Sequence, residues 1–272
     1  MTGASTGIGL YTCRALVAHG FTVFGTVRRP EDEAALREFG ATPLLLDVTD
    51  PASIRAGREQ VERLLAPAAL AGLVNNAGIS GAGPIELLDL DEFRKVFEVN
   101  TLGAVAVTKE FLPLLKQGRG RIVNISSVSG RVAPPFMAPY AASKFALEAI
   151  SDCMRREFYP FGIGVIVIQP GIVHTPIWKK GAARDLASVR NTVYEEVMTR
   201  MRDHAASVNE RAIPPSRVAR AVLHALTARR PATRIPVVPN RLLHMLRSWV
   251  PDRARDRRIA RRIWGRTNSS TG

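Results

Sequence analysis

Tyr140 and Lys144 stand four residues apart in Pro-Tyr-Ala-Ala-Ser-Lys-Phe-Ala-Leu-Glu, and Ser127 lies thirteen residues before the tyrosine, at the end of Arg-Ile-Val-Asn-Ile-Ser-Ser. Helical positions i and i+4 share a face, so this spacing puts the Lys144 ammonium beneath the Tyr140 phenol and favours the phenolate. A phenol so tuned trades protons near neutral pH. A serine hydroxyl delivered from the carboxyl end of a strand can hold a carbonyl oxygen against it while another group supplies or takes a hydride. Duller readings exist for the same residues. Ser126, Ser127 and Ser129 also read as turn hydroxyls, and Tyr140 with Lys144 as a helix-surface pair.

Residues 2–9 read Thr-Gly-Ala-Ser-Thr-Gly-Ile-Gly and open an apolar helical stretch that runs to about Ala18. Gly3, Gly7 and Gly9 let backbone pass close to a pyrophosphate, with Ser5 and Ile8 in the same turn. The spacing is GxxxGxG, a weak signal alone. It is joined by Asn-Asn-Ala-Gly at 75–78, by Asn100 in Phe-Glu-Val-Asn-Thr, and by Pro-Gly-Ile-Val-His-Thr at 170–175.

These motifs need elements to hold them. Short runs at 21–27, 42–46, 72–75, 121–126, 164–169 and 234–238 are rich in β-branched residues or leucine and mostly lack alternation, as parallel strands covered on both faces do. Helical stretches lie between them. Pro30 followed by three acids is a first-turn pattern, and Asp50-Pro51 is an N-cap with proline at the first helical position. The alternation predicts an α/β fold with a doubly wound parallel sheet in a single domain.

The ordered motifs resemble the short-chain dehydrogenase/reductase family over residues 2–238, and within it most closely the retinol and hydroxysteroid dehydrogenase branch. The resemblance implies a Rossmann-like sheet and an oxidoreductase that interconverts a carbonyl and an alcohol by hydride transfer. Its catalytic set falls on Asn100, Ser127, Tyr140 and Lys144, with Asn100 holding a water that links Lys144 to solvent. Asp47 and Val48 match the family's adenine-binding pair, although Asp47 equally reads as a cap of its turn. Asn75, Ala77 and Gly78 would line the ribose side, and Pro170, Gly171, Val173 and Thr175 the nicotinamide. Where an NAD enzyme usually presents a carboxylate after its second strand, this chain has Val27-Arg28-Arg29 and no acid before Pro30. A guanidinium matches a phosphate, so NADP(H) is expected over NAD(H), with Arg28 the main contact and Arg29 or Ser5 as helpers.

The family also enters its glycine turn through a central strand, whereas this sequence starts at the turn, so the first strand looks truncated. The expectation is a start upstream of Met1 or a compensation within the fold. A catalytically impaired binding or regulatory protein is the alternative to a working enzyme.

Residues 1–240 are expected to form the dinucleotide-binding oxidoreductase domain, with a lid at about 176–214 carrying Trp178, Val193, Met198 and Met201 over a lipophilic substrate. Residues 241–272 form a basic amphipathic tail. Its nine arginines against two aspartates give +7, half of the chain's +14. Such a tail suits an anionic membrane surface, or packs its apolar side on the fold. No nucleic-acid module and no metal-ligand cluster is legible, so neither nucleic acid nor a metal is expected. Cys13 and Cys153 read as packed, reduced thiols. No apolar run approaches a membrane span, which fits a cytoplasmic enzyme. By the resemblance it would be a homodimer or homotetramer.

Overall fold

The computed structural model describes residues 1–176, 187–207, 212–240 and 250–265. Among these described residues six strands are formed: β1 (Phe24–Val27), β2 (Thr42–Leu45), β3 (Gly72–Asn75), β4 (Arg121–Ile125), β5 (Gly164–Pro170) and β6 (Arg234–Val237). Helices α1 (Gly7–Ala18), α2 (Ala34–Arg37), α3 (Pro51–Leu65), α4 (Leu90–Phe97), α5 (Gly103–Gly118), α6 (Ala138–Glu157), α7 (Glu195–Ser207), α8 (Pro215–Thr227) and α9 (Asp252–Trp264) intervene or follow. Every strand pairing is parallel, in the orders β1-β2 and β3-β4-β5-β6.

Both faces of the sheet are covered, which is why its strands are apolar without alternation. Ile54 and Val61 of α3, Val107, Phe111 and Leu115 of α5 and Met154 of α6 pack in one cluster with Leu73, Ile122 and Val165. Val218, Val222 and Ala225 of α8 pack in another, with Val74, Val123 and Ile166. Cys13 and Leu16 of α1 join Val27 and Leu36 in a third. Asp50 caps α3 by accepting from the Ala52 amide at 2.9 Å, as the Asp-Pro pair predicts.

The sheet is divided between β1 and β3. Residues 1–4 bridge the division at one end: the Met1 amino group donates to the Phe24 carbonyl at 2.9 Å and the Thr26 amide to the Met1 carbonyl at 2.9 Å. The Ala4 amide donates to Thr26 at 2.8 Å and, on the other side, the Thr2 amide to Val74 at 2.9 Å. Beyond Met1 the division opens into an apolar cavity of about 290 Å³ whose lining includes Leu16, Phe24, Leu44, Leu73, Val107 and Phe111. Enclosure pushes the Met1 amino group below its ordinary pKa, because burial penalises its charge. Residues 1–4 thus tie the half-sheets together at the end where the glycine turn begins.

One expectation changes. Cys13 is buried, and burial raises its thiol to about 11, but Cys153 is exposed on α6 rather than packed. Of the tail, residues 250–265 are described and form α9; 241–249, 266–272 and the lid residues 177–186, Trp178 among them, lie outside the described residues.

Candidate active site

Parallel strands deliver their carboxyl ends to one edge of the sheet, and the sequence motifs follow those ends. The glycine turn runs from residues 1–4 into α1. Gly3 and Gly7 both have left-handed φ values, +63° and +54°. A Cβ on Gly3 would lie 2.8 Å from the Ala77 Cα, and one on Gly7 would lie 3.0 Å from the Thr175 methyl. Only glycine meets both demands, and the turn is thereby pressed between the β3 motif and the β5 motif. Gly9 sits deeper, against the Gly3 carbonyl, while Ser5 is half-buried and Ile8 is packed against the α8 side of the core. Thr6, the N-cap of α1, makes no side-chain capping bond, so first-turn amides remain uncapped there.

Asn76, which the sequence analysis did not single out, secures this turn. Its amide donates to the Thr2 hydroxyl at 2.9 Å, and its Nδ2 donates to the carbonyls of Thr2 and Gly3 at 3.0 and 2.9 Å. Asn75 has its amide inside the sheet, donating to Thr108 Oγ1 and Asn124 Oδ1, both at 2.9 Å. Alternation along the strand explains the division of labour between the two asparagines.

The Ser127 hydroxyl stands close enough to the Tyr140 phenol for hydrogen bonding to oppose the rise in its pKa, and it also donates to the Pro170 carbonyl at 3.5 Å. Ser127 follows β4, is 7% exposed, and its Oγ accepts from the Ser129 amide at 3.0 Å. Ser126 is turned toward Gly130, its Oγ 2.8 Å from where a Cβ on that glycine would stand. Lys144 is buried one turn along α6 from Tyr140, donating from Nζ to the Ile125 carbonyl at 2.9 Å. Gly78 leaves room for it: a Cβ there would lie 3.7 Å from Lys144 Nζ and 3.2 Å from Asn100 Oδ1.

Asn100 sits in a π-helical turn, Glu98–Leu102, between α4 and α5. Its Oδ1 accepts from the Ile79 amide at 2.8 Å, and its Nδ2 donates to the Ile79 carbonyl and to Ser143 Oγ, each at 3.0 Å. It thus staples the loop after Gly78 to α6.

Electrostatics at the pair depart from the spacing argument. Burial raises the Tyr140 phenol above its ordinary pKa, and the Ser127 hydrogen bond offsets this only in part. Burial lowers Lys144 to about 8, opposed by the Glu148 carboxylate. In this arrangement the lysine's own charge is what desolvation depresses.

The remaining predicted residues divide. Pro170 ends β5, the Gly171 amide donates to Val237 at 2.9 Å, and Val173 is buried and bridged to Ile213. Thr175 meets Gly7. Arg28 is exposed just after β1, and among the described residues it makes no hydrogen bond or ion pair. Arg29, expected as a helper, is instead engaged with Asp32 at 3.1 and 3.2 Å. Asp47 caps its own turn. Its Oδ1 accepts from the Thr49 amide and hydroxyl at 2.9 and 2.8 Å, which outweighs burial and keeps its pKa low. Val48 is buried against Gly103.

An aromatic cluster lies four residues before Tyr140 in sequence. The Phe136 ring meets Tyr194 edge-on at 6.2 Å and Trp264 at 6.3 Å, and Tyr194 meets Trp264 at 6.3 Å. The end of α9 therefore packs on the segment between Ser127 and Tyr140 and on α7, where Met198 is buried. Val193, expected as lid cover, is 76% exposed. The sequence allowed the tail's apolar side to pack on the fold, but not which residues it would meet, because the partners of Trp264 are distant along the chain.

A sequence profile described as short chain dehydrogenase matches residues 1–185. The NADPH-dependent 3-dehydrocapnine reductase of Ornithobacterium rhinotracheale is 32% identical over 266 residues, covering 94% of each chain. Mouse (Mus musculus) retinol dehydrogenase 5 is 37% identical over 272 residues, covering 94% of this chain and 85% of its own. A crystal structure of a short chain dehydrogenase from Burkholderia cenocepacia in complex with NADP superposes with a TM-score of 0.73 at 25% identity, over 95% of this chain and 94% of that one.

Proposed function

Because this chain belongs to the short chain dehydrogenase family and is an oxidoreductase acting on CH–OH groups, we propose that it works with NADP(H) on a lipophilic carbonyl or alcohol. The observation that carries the reading is the Ser127 hydroxyl beside the buried Tyr140 phenol, with Lys144 buried one turn along α6, on the edge of the sheet where the glycine turn meets Thr175.

The chain fits a dinucleotide. Gly3 and Gly7 let the turn lie directly against Ala77 and Thr175, and the first-turn amides of α1 are free of side-chain caps. Gly3, Ser5, Gly7, Ile8 and Gly9 would hold the pyrophosphate, Ala77 and Gly78 the ribose side, and Pro170, Gly171, Val173 and Thr175 the nicotinamide. Arg28, exposed, with only a longer-range attraction to Asp47 and no hydrogen bond or ion pair among the described residues, would meet the 2′-phosphate with paired donors. The NADPH dependence of the capnine relative and the NADP in the Burkholderia cenocepacia crystal point the same way.

When bound, the nicotinamide supplies or accepts the hydride. Ser127 polarises the substrate oxygen, and Tyr140 gives it a proton during reduction or takes one during oxidation. Raised by burial, Tyr140 holds its proton at neutral pH, which suits the reducing direction. Lys144 places a cation beside the developing phenolate. Phe136, Tyr194 and Trp264 offer apolar cover for a lipophilic substrate. Leu102 and Phe145, 51% and 42% exposed, give α6 and the start of α5 an apolar surface for a second copy of the chain.

The reading is tested by fluorescence titration with NADPH and NADH, followed by turnover of all-trans-retinal and phenanthrenequinone. Tight NADPH binding with turnover of either carbonyl is expected. Cofactor binding without turnover of any carbonyl would favour the binding-protein alternative.

A further inference from the structure

Glu148 is 4% exposed, in the interior of the molecule, and closes the Tyr140 run without having been given a role in it. It lies one turn beyond Lys144, so Tyr140, Lys144 and Glu148 follow one another at four-residue steps along α6. Both carboxylate oxygens are held. Oε1 accepts from Gln169 Nε2 at 2.9 Å, and Oε2 accepts from Arg234 Nε at 2.9 Å. Gln169 comes from β5, directly before Pro170, and Arg234 opens β6. The Arg234 guanidinium also reaches Asp152 at 3.0 Å, Asp152 accepts from Arg155 at 2.7 Å as well, and these two guanidiniums, Arg234 above all, hold its carboxyl at about 2.

A carboxylate removed from water is costly unless its lone pairs are satisfied. Here two strands satisfy them, and the carboxylate faces the reaction's lysine from behind. The other groups around Lys144 are neutral: the Ile125 carbonyl, Gly78, Asn100 and the Tyr140 phenol. We propose that Glu148 is a positioning residue for the reaction, a buried counter-charge that keeps the Lys144 ammonium in place, itself clamped by Gln169 and Arg234. The proposal rests on the oxidoreductase reading for its purpose. Its geometry does not depend on which carbonyl is reduced.

Glu148 opposes the desolvation that brings Lys144 to about 8. Removing its charge should let the lysine lose its proton at still lower pH, and removing Arg234 should do the opposite. Competitive labelling of the cofactor-free protein with acetic anhydride across pH, read by mass spectrometry on the Lys144 peptide, reports the lysine directly. Glu148→Gln is expected to move the labelling midpoint down by about one unit. Arg234→Gln should move it up, and Glu148→Asp should restore most of the wild-type value. In NADPH-linked reduction of phenanthrenequinone, the alkaline limb of kcat should shift with the labelling midpoint, and KM should change less than about twofold.

A midpoint that stays in place in a Glu148→Gln protein of unchanged melting temperature would reduce Glu148 to an anchor of α6 and overturn the proposal. If that variant does not fold, a downward or absent shift in Arg234→Gln overturns it equally. Wild-type protein that labels normally but turns over no carbonyl would refute the oxidoreductase reading and leave the labelling result to judge Glu148.

Discussion

Lys144 Nζ stands 5.9 Å from the centre of the Tyr140 ring and 2.9 Å from the Ile125 carbonyl, so the lysine is anchored to the end of β4 rather than stacked on the phenol. The 5.9 Å separation is at the outer limit of a cation–π contact. What fixes the ammonium is a backbone oxygen, and what limits its charge is burial.

That limit has a consequence for stability. An ordinary lysine titrates at 10.5, and burial brings Lys144 to about 8. Below pH 8 both folded and unfolded chains hold the proton, and the full desolvation cost is present. Between about 8 and 10.5 the unfolded chain binds more protons than the folded one, so this residue's contribution to stability rises with pH. Lys144→Met, inactive, is expected to be more stable than wild type at pH 7 by about 1–3 kcal/mol, with the difference shrinking above pH 8. Urea melts at pH 7 and pH 9.5 measure it; a gap that widens with pH would contradict the assignment.

Arg28→Asp should weaken NADPH binding by about ten- to a hundred-fold and NADH binding far less, because it exchanges a phosphate partner for a like charge. Arg29→Ala should change either affinity only slightly, since Arg29 is engaged with Asp32. Fluorescence titration of both cofactors separates the two arginines; equal losses for NADPH and NADH in Arg28→Asp would remove Arg28 from the site.

Assembly is tested at Phe145, 42% exposed on α6. Light scattering at micromolar concentration is expected to give the mass of a dimer or tetramer, and Phe145→Glu to lower it. A wild-type monomer would show that this apolar face serves something other than a second copy.

The divided sheet offers a test of a different kind. A strand of about five apolar, preferably β-branched residues fused before Met1 would run into the 290 Å³ cavity, pair with β1 and β3, and remove the buried amino-terminal charge. The melting temperature is expected to rise on the order of 10 °C. No change would mean that the helices already close over the division as well as a strand can.

Much of this was written locally. The runs at 72–75 and 164–169 announced β3 and β5 almost to the residue, because strands covered on both faces must be apolar throughout. The run at 21–27 overshot β1 at its start: opposite the division Phe21 has no second neighbour, and its amide instead donates to Leu16 and closes α1. Tyr140, Lys144 and Ser127 were legible because a helix and a strand end fix their spacing. Glu148 was not. Its partners lie 21 and 86 residues further along the chain, and an acid on a helix reads as solvent-facing until the strands that bury it are placed. Asp47 and Arg29 were ambiguous for the opposite reason, since each finds its partner within three residues and settles into a turn.

The central claim is that Tyr140 moves the proton while the glycine turn, Arg28 and the β5 motif hold the cofactor. Steady-state turnover and NADPH affinity of Tyr140→Phe, measured on the same preparation, test it most directly. Turnover of the carbonyl used by wild type is expected to fall by about a hundred- to ten-thousand-fold, with the NADPH dissociation constant within a few fold of wild type. Near wild-type turnover by Tyr140→Phe would show that the proton travels by another group and that the Ser127–Tyr140 pair has been misread.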